Sequence, residues 1–417
     1  MTFLHNAPEK FKELIEEAST DLKINPAFLE KEYYVTMFLN QLSKIDNSII
    51  FKGGTSISLC YGAIKRFSED IDLNYNNGRM HPTTNMRREF NHSITRSGDE
   101  VGLTLINEDK IRSKRDYNLY QYDYPHLFTN DTLKQNVIVE TSVRSPSFPA
   151  EERPVEPMLG KFLRDKGHED LAKAVGLLGF TMKAQSLERT VTDKIFAVGD
   201  YFFTDKLNRQ SRHIYDLYKL FPLIDVTSEK YKKLFSDVLL VRETQPNNIT
   251  AAPEHNLIEI LKKVIDTDFY KDDYNNVTRF LFHPGEDVSY EDAKENLSAI
   301  VEKLETLKIY SEARENQLEG NKQFKEYADT LIKLYEEKEK LSAAPTEDSS
   351  LDDVFLELKE RSKRHSALRE EIIQVIQDMK NNDVNPARIY PLLPEKLIQP
   401  VSKDFQSSIG EKSEKIR

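Results

Sequence analysis

The chain has 417 residues and a formal net charge of −11, with 38% hydrophobic and 31% charged residues. This length and composition favour two or three domains with a buried core, and the acidic balance argues against a general nucleic-acid coat protein. The single cysteine, Cys60, excludes an intrachain disulfide and fits a reducing compartment. We read neither a signal peptide nor an apolar run long enough to span a membrane, so we expect a cytoplasmic protein with no membrane partner.

Two helices are predicted before the first strand. Apolar residues recur at helical spacing through residues 8–22, and Asn25 followed by Pro26 is a typical helix start. The second helix is rich in aromatic residues, which predicts that it packs against a central sheet.

The most informative stretch covers residues 51–74. It predicts a strand end, the turn Gly53-Gly54-Thr55, a short helix and a second strand. The two glycines leave space beside the backbone, and Thr55 can cap the helix. The N-terminus of such a helix presents backbone N–H groups to phosphate oxygens.

The second strand of this stretch carries Asp70 and Asp72. Side chains two residues apart on a strand share a face, so both carboxylates point one way while Ile71 and Leu73 point into a core. Such a pair can bracket one or two Mg²⁺ ions, which in two-metal sites lie about 4 Å apart. An ordinary turn and a solvated acidic edge are the alternatives, but the ordered combination favours phosphoryl chemistry.

A polar, Asn-rich loop, a basic helix at residues 86–96 and two strands at 117–124 and 137–141 follow. Glu140 is the best candidate for a third carboxylate because an acid at the end of an apolar strand needs a partner, although that partner could equally be an arginine. The cluster of Lys110, Arg112, Lys114 and Arg115 could hold a phosphate chain or could be a solvated hairpin.

Four prolines between residues 146 and 157 predict a linker, and the composition beyond it becomes helical. In the predicted helix 186–199, Lys194 falls within the apolar stripe, where its ammonium needs a carboxylate, a phosphate or water. We favour a phosphate-facing role over snorkelling to the surface. Asp216 lies off the apolar face of the next predicted helix, so the pattern does not predict its burial.

Several segments together resemble the AbiEii/AbiGii family of toxin nucleotidyltransferases, within the polymerase-beta-like superfamily. They cover roughly residues 8–308 in the family's order: LEKEYYVT near Leu29, FKGGTSISLCYGAIKRFSEDIDL, TVTDKIFA around Lys194, RHIYDLY up to Tyr218, DYNNVTRF and SYEDAKENL. The chain departs from the family pattern where His213 follows Arg212 in place of an aspartate, and where Glu32 replaces a common aspartate.

The resemblance implies an α+β fold, with a mixed nucleotidyltransferase sheet and a helical C-terminal half that closes over the nucleotide. It implies that Gly53, Gly54, Thr55 and Lys194 bind the nucleotide, that Ser68, Asp70, Asp72, Lys194 and Asp216 are catalytic, and that Asp70, Asp72 and Glu140 hold metal. We expect three parts: a sheet domain with N-terminal helices (1–150), a helical domain (151–308) and an added helical extension with a flexible tail (309–417).

The resulting hypothesis is a toxin of a toxin–antitoxin or abortive-infection system. It would use Mg²⁺ to transfer nucleotides from an NTP to an acceptor, the 3′ end of tRNA, and a cognate antitoxin protein would restrain it. The alternatives are a nucleotidyltransferase that modifies a protein or a small molecule, and a non-catalytic nucleotide-binding regulator that acts through its C-terminal helices.

Overall fold

A computed structural model describes residues 3–68, 70–75, 83–112, 115–130, 133–143, 147–204, 207–245, 247–341, 351–382, 384, 389 and 392–410. Most of the Asn-rich loop, Lys114 and the predicted linker 342–350 lie outside these residues. The chain divides into two compact units, residues 1–313 and 314–417.

Strands of the first unit form one mixed sheet. They are β1 (Ile49–Lys52), β2 (Asp70–Tyr75), β3 (Thr104–Leu105), β4 (Tyr117–Asp123), β5 (Val137–Ser142), β6 (Ala150–Val155) and β7 (Phe180–Gln185). Among the described residues their spatial order is β3-β4-β5-β2-β1-β7-β6. The pairs β2–β5 and β1–β7 are parallel and the others antiparallel. The predicted α+β class, with a mixed sheet and a helical C-terminal half, is confirmed.

The α-helices of the described residues belong to both units. They are α1 (Pro8–Leu22), α2 (Pro26–Ile45), α3 (Gly53–Tyr61), α4 (Thr84–Val101), α5 (Met158–Asp165), α6 (Glu169–Ala174), α7 (Leu187–Phe202), α8 (Arg212–Leu220), α9 (Glu229–Glu243), α10 (Leu257–Asp266), α11 (Lys271–Asn276), α12 (Tyr290–Thr306), α13 (Ile309–Leu341), α14 (Leu351–Asn381) and α15 (Glu395–Gly410).

The sheet extends beyond the boundary that we expected at residue 150. Strand β6 lies within the predicted proline-rich linker and pairs antiparallel with β7, which itself lies in the expected helical half. Pro154 is tolerated because β6 is an edge strand, where a residue without an N–H need not break a ladder of hydrogen bonds. The prolines therefore mark a sheet edge rather than a linker.

Two apolar clusters stabilise the first unit. One lies between the sheet and helices α1, α2, α4 and α5, and it includes the fully buried Phe38, Ile71 and Leu73. The other joins helices α7 to α12 and includes Ile195 and Leu217. Ile71 and Leu73 thus point into the core, as predicted, and Asp70 and Asp72, which alternate with them, face the opposite side of the sheet.

The second unit has an apolar core of its own. Residues from α13, α14 and α15, among them Leu331, Ile376 and Val401, are buried together. We expected the extension to end in a flexible tail, but Glu395–Gly410 form α15, in which Leu397 and Val401 are buried. Pro400 lies inside this helix and does not end it.

Candidate active site

Strand register brings three acidic residues to one face of the sheet. Asp70 and Asp72 lie two residues apart on β2, and the parallel strand β5 places Glu140 directly beside Asp72. Directly paired residues on neighbouring strands project to the same face, so all three carboxylates lie on the side opposite Ile71 and Leu73. The sequence predicted the shared face of the two aspartates, and the register adds the third acid.

The two glycines allow helix α3 to begin against this acidic face. Gly53 has φ of +79°, and a Cβ placed on it would lie 1.9 Å from Asp72 Oδ2. A Cβ on Gly54 would lie 2.5 Å from Ser68 Oγ. Any larger side chain at either position would displace Asp72 or Ser68, so this close approach requires glycine.

Helix α3 begins two residues earlier than Thr55, which therefore does not cap it. The N-cap residue is Lys52, and its side chain makes no capping hydrogen bond. The Thr55 hydroxyl instead donates to the backbone oxygen of Asp70 at 2.6 Å, which ties the helix to the start of β2. The first turn of α3 thus keeps the backbone N–H groups and positive dipole end that suit a phosphate.

Asp72 has a raised pKa for an aspartate. Burial raises its pKa to about 6; Lys52, paired with it across β1 and β2, opposes this shift, and the negative charges of Glu140 and Asp70 add to it. The three acids therefore repel one another, and a bound cation would relieve this repulsion.

Asp70 already has a cation beside it. Lys134 Nζ donates to both carboxylate oxygens of Asp70, at 3.0 and 2.9 Å. The Lys134 side chain is 44% exposed. Sequence reasoning missed this lysine, because no local pattern indicates that a residue before β5 reaches the start of β2.

The donor set and its charge fit Mg²⁺, which binds through one or two carboxylates together with waters and substrate phosphates. Asp70 and Asp72 provide two such carboxylates, and the ammonium of Lys134 occupies a cation position at the first of them. Within the described ranges, however, no three His, Cys, Asp or Glu side chains are grouped closely enough to form a metal cage. The part of Glu140 as a third ligand remains a proposal.

Lys194 and Asp216 meet in the protein interior. Lys194 Nζ donates to Asp216 Oδ2 at 2.6 Å, and Arg66 binds both oxygens of Asp216 at 2.7 Å. Asp216 is fully buried, contrary to our expectation from the helical wheel, because its partners come from α7 and from the segment before β2. Burial by itself would raise the pKa of Asp216, but the charges of Arg66 and Lys194 outweigh it and hold that pKa well below its usual range.

An open cavity of about 550 Å³ lies beside the acidic face. Its wall includes Lys52, Gly53, Asp72 and Lys194, so it joins the start of α3 to the buried lysine of α7. Burial lowers the pKa of Lys194, although Asp216 opposes that shift. The volume lies within the range of small-molecule sites. Ser68 lies at a separate small cavity, next to Arg66 and Thr55.

The comparison with known families decides the identity of this arrangement. The family described as "Nucleotidyl transferase AbiEii toxin, Type IV TA system" matches residues 37–333, which is most of the chain. The chain belongs to this AbiEii family. It is therefore a nucleotidyltransferase of a toxin–antitoxin family.

Two further comparisons add little to the AbiEii assignment. MenT4, a nucleotidyltransferase toxin from Mycobacterium tuberculosis H37Rv, has a similar solved structure with a TM-score of 0.40 and 15% identity, covering 70% of this chain and 89% of that chain. No curated protein matches this AbiEii chain in sequence. Among the helices that the structure describes, none combines the length and apolar character needed to cross a bilayer.

Proposed function

We propose that this AbiEii protein transfers a nucleotidyl group from an NTP to the 3′ end of an RNA, with tRNA as the expected acceptor and Mg²⁺ as the metal. The observation that carries the proposal is a cavity of about 550 Å³ where Asp72 meets the uncapped start of α3, with Asp70 and Glu140 on the same face of the sheet as Asp72. A triphosphate needs both features: carboxylates that hold its metal, and backbone N–H groups that bind its oxygens.

Each residue of the site has a part in the proposed reaction. Asp70 and Asp72 would hold Mg²⁺, which supplies charge neutralisation at the phosphates. The start of α3, at Gly53 and Gly54, would bind the β- and γ-phosphate oxygens. The acceptor hydroxyl would attack the α-phosphorus, the bond to the β-phosphate oxygen would break, and pyrophosphate would leave. Glu140 would take the proton of the acceptor hydroxyl.

Lys194 would place positive charge in the cavity wall as charge develops on the phosphates. An ammonium has three donors, and the hydrogen bond that the structure records for Lys194 goes to Asp216. Asp216, which Arg66 binds through both carboxylate oxygens, would hold this ammonium in place from the interior. Ser68 would support the approach of α3 to the site through its contact with Gly54.

The biological setting follows from the family. A cognate antitoxin would restrain the enzyme, and abortive infection in phage defence would be the output of its release in the cytoplasm. Expression of the chain without the product of a neighbouring antitoxin gene should arrest growth, and co-expression of that product should restore it.

The decisive experiment incubates the purified protein with each labelled NTP and either total RNA or total cellular protein. Labelled tRNA supports the proposal, a labelled protein or small molecule indicates another acceptor, and tight NTP binding without transfer indicates a regulator. Asp72→Asn should abolish transfer and growth arrest, whereas Asp266→Asn, an exposed acid on α10, should change neither. Growth arrest by Asp70→Ala or Asp72→Asn at the wild-type level would contradict the enzymatic account.

A further inference from the structure

An aromatic ring lies exposed next to the three carboxylates. Tyr117 begins β4 and is 49% exposed, which is unusual for a large side chain on an inner strand of the sheet. Its register partner on β5 is Ser142, which lines the cavity, and Ser142 is in turn paired with Asn74 of β2. Tyr117 therefore lies on the same face as Glu140, two residue pairs further along the strands.

The Tyr117 hydroxyl is bound to this acidic group. It makes a hydrogen bond with the Glu140 carboxylate, and burial together with the Glu140 charge raises the pKa of the phenol. The hydroxyl end of the side chain is thus held at the site, while much of the ring is exposed to solvent.

Cationic side chains lie in the segment just before Tyr117. Lys110, Arg112 and Arg115 are all exposed. The Arg112 N–H donates to Asn118 Oδ1 at 2.9 Å, and Asn118 Nδ2 donates back to the Arg112 oxygen at 3.0 Å. The Arg115 N–H donates to the same Arg112 oxygen at 3.2 Å, so the cationic segment is anchored to the strand residue that follows Tyr117.

We propose that Tyr117 and the cations Lys110, Arg112 and Arg115 form the acceptor platform of the enzyme, which binds the single-stranded 3′ end of an RNA. A base of that end stacks on the Tyr117 ring, the preceding phosphates lie against the three cations, and the terminal hydroxyl lies near Glu140. This inference rests on the proposed function, because it names the residues that would select its acceptor.

Two observations favour a nucleic-acid end over a protein acceptor. A solvent-facing aromatic ring binds bases through their flat faces, and every base offers such a face. The whole chain has a net charge of −11, but Lys110, Arg112 and Arg115 form a local group of positive charges. Such a group attracts phosphates. Single-stranded RNA combines both requirements, since its bases are free to stack while its backbone stays charged.

Two substitutions at Tyr117 separate the ring from the hydroxyl. Tyr117→Leu removes the stacking surface and should raise the KM for total tRNA roughly tenfold, with the dissociation constant for NTP unchanged. Tyr117→Phe keeps the ring but leaves Glu140 without its donor, so it should retain the KM for tRNA and lower kcat several-fold. Phe280→Leu, at another exposed aromatic residue, is the matched control and should change neither constant.

A binding experiment tests the platform separately from catalysis. Fluorescence anisotropy with a labelled single-stranded RNA, in the Asp72→Asn protein, measures acceptor binding even if no transfer occurs. Replacing both Arg112 and Arg115 by alanine should weaken this binding and reduce the slope of its logarithm against the logarithm of salt concentration. The control replaces Lys230 and Lys233, two exposed lysines on α9, and should leave the slope unchanged.

The outcomes distinguish the two proposals. If no labelled NTP is transferred to any acceptor, the proposed function fails, whatever the RNA binding shows. If tRNA is labelled but Tyr117→Leu leaves its KM unchanged, or weakens NTP binding equally, the acceptor platform is wrong. Labelling of protein in place of RNA, without RNA binding in the anisotropy experiment, also overturns the platform.

Discussion

The charged side chains at this site have partners that the sequence did not reveal. Asp70 is held by Lys134, Lys194 and Asp216 by each other, and Arg66 by both oxygens of Asp216. A buried ion pair gains stability only when good geometry and hydrogen bonds offset the cost of desolvation. Residue identities therefore indicated which side chains carry chemistry, while their charge states depend on partners that are distant in sequence.

Lys134 should compete with divalent cations for Asp70. We expect Lys134→Met to tighten Mn²⁺ binding roughly two- to fivefold, the size of effect that an exposed ion pair usually has. Calorimetric titration with Mn²⁺, in the absence of nucleotide, measures this change. Lys166→Met removes a similar exposed ion pair, with Asp21 at 3.0 Å, and should leave Mn²⁺ binding unchanged. Weaker Mn²⁺ binding in Lys134→Met would show that the lysine assists the metal.

Glu32 should make the stability of the fold depend on pH. Burial raises its pKa from 4.5 to about 8, although the Met158 N–H donates to one of its oxygens, and in the described structure the other oxygen is buried without a hydrogen-bond partner. A raised carboxyl pKa means that the folded state holds the proton more tightly, so stability falls as pH rises from about 5 to 8. Across this interval we expect a loss of roughly 2–4 kcal/mol.

Glu32→Gln should remove most of this dependence, because the amide is neutral at every pH and its oxygen can still accept from Met158. Urea unfolding at several pH values, for both proteins, measures the difference. A wild-type protein whose free energy of unfolding is constant from pH 5 to 8, or follows the same curve as Glu32→Gln, would contradict the raised pKa.

At the scale of elements, close contacts between helices and strands position the site. The start of α3 approaches β2 at Gly53 and Asp72. Asp216, in the middle of α8, binds Lys194 of α7 and also Arg66, which lies in the segment before β2. These contacts link the sheet to the helical half, so a change in one element should affect the geometry of the other.

Gly53→Ala should damage the site more than an equivalent change elsewhere. Gly53 and Gly102 both have positive φ, at +79° and +77°, so alanine strains the backbone at both, at a cost of about 1 kcal/mol. Only at Gly53 would the new Cβ meet Asp72, since nothing lies within 4 Å at Gly102. We expect Gly53→Ala to lose NTP binding in calorimetry and Gly102→Ala to retain it. Equal binding by the two variants would show that α3 can shift without cost.

Asp216→Ala should destabilise the fold, because it leaves the buried cations Arg66 and Lys194 without their counter-ion. Loss of one partner in such a network costs about 3–5 kcal/mol, which urea unfolding measures. Lys194→Met leaves the Arg66–Asp216 pair intact, so it should stay folded and yet lose transfer activity. If Asp216→Ala unfolds like the wild type but loses activity, Asp216 acts on the substrate directly rather than through Lys194.

At the scale of the whole molecule, the first unit encloses two apolar cores and the second unit encloses one. The cores of the first unit end at Ala313, and the core of the second begins at Phe324. The acidic face, the cavity and Tyr117 all belong to the first unit. We propose that the helical extension is a separate domain. We also propose that the sheet domain continues through residue 185, the last residue of β7.

A chain that ends at Gly320 should therefore fold and bind NTP. It keeps Tyr310, whose hydroxyl accepts from the Leu257 N–H at 3.0 Å, and it keeps every member of the two cores of the first unit. A cooperative thermal transition and NTP affinity equal to that of the full chain are the expected results. Aggregation, or loss of NTP affinity in a folded protein, would show that the second unit contributes to the site.

Local sequence pattern by itself determined much of this protein. Helix α1 begins and ends where the pattern predicted, and the alternation around Asp70 and Asp72 placed Ile71 and Leu73 in the core. These features depend on neighbours within a few residues, so they can be predicted from the local sequence. The family motifs likewise lie in contiguous segments, and they identified the nucleotidyltransferase family.

Only the tertiary structure decided the rest. Three contacts join residues that are far apart along the chain: Asp72 pairs with Glu140, Lys134 binds Asp70, and Arg66 binds the buried Asp216. Even the proline-rich segment became an edge strand because β7 was there to pair with it. Periodicity shows which way a side chain points on its own element, but its partners depend on how the elements pack, which no local pattern records.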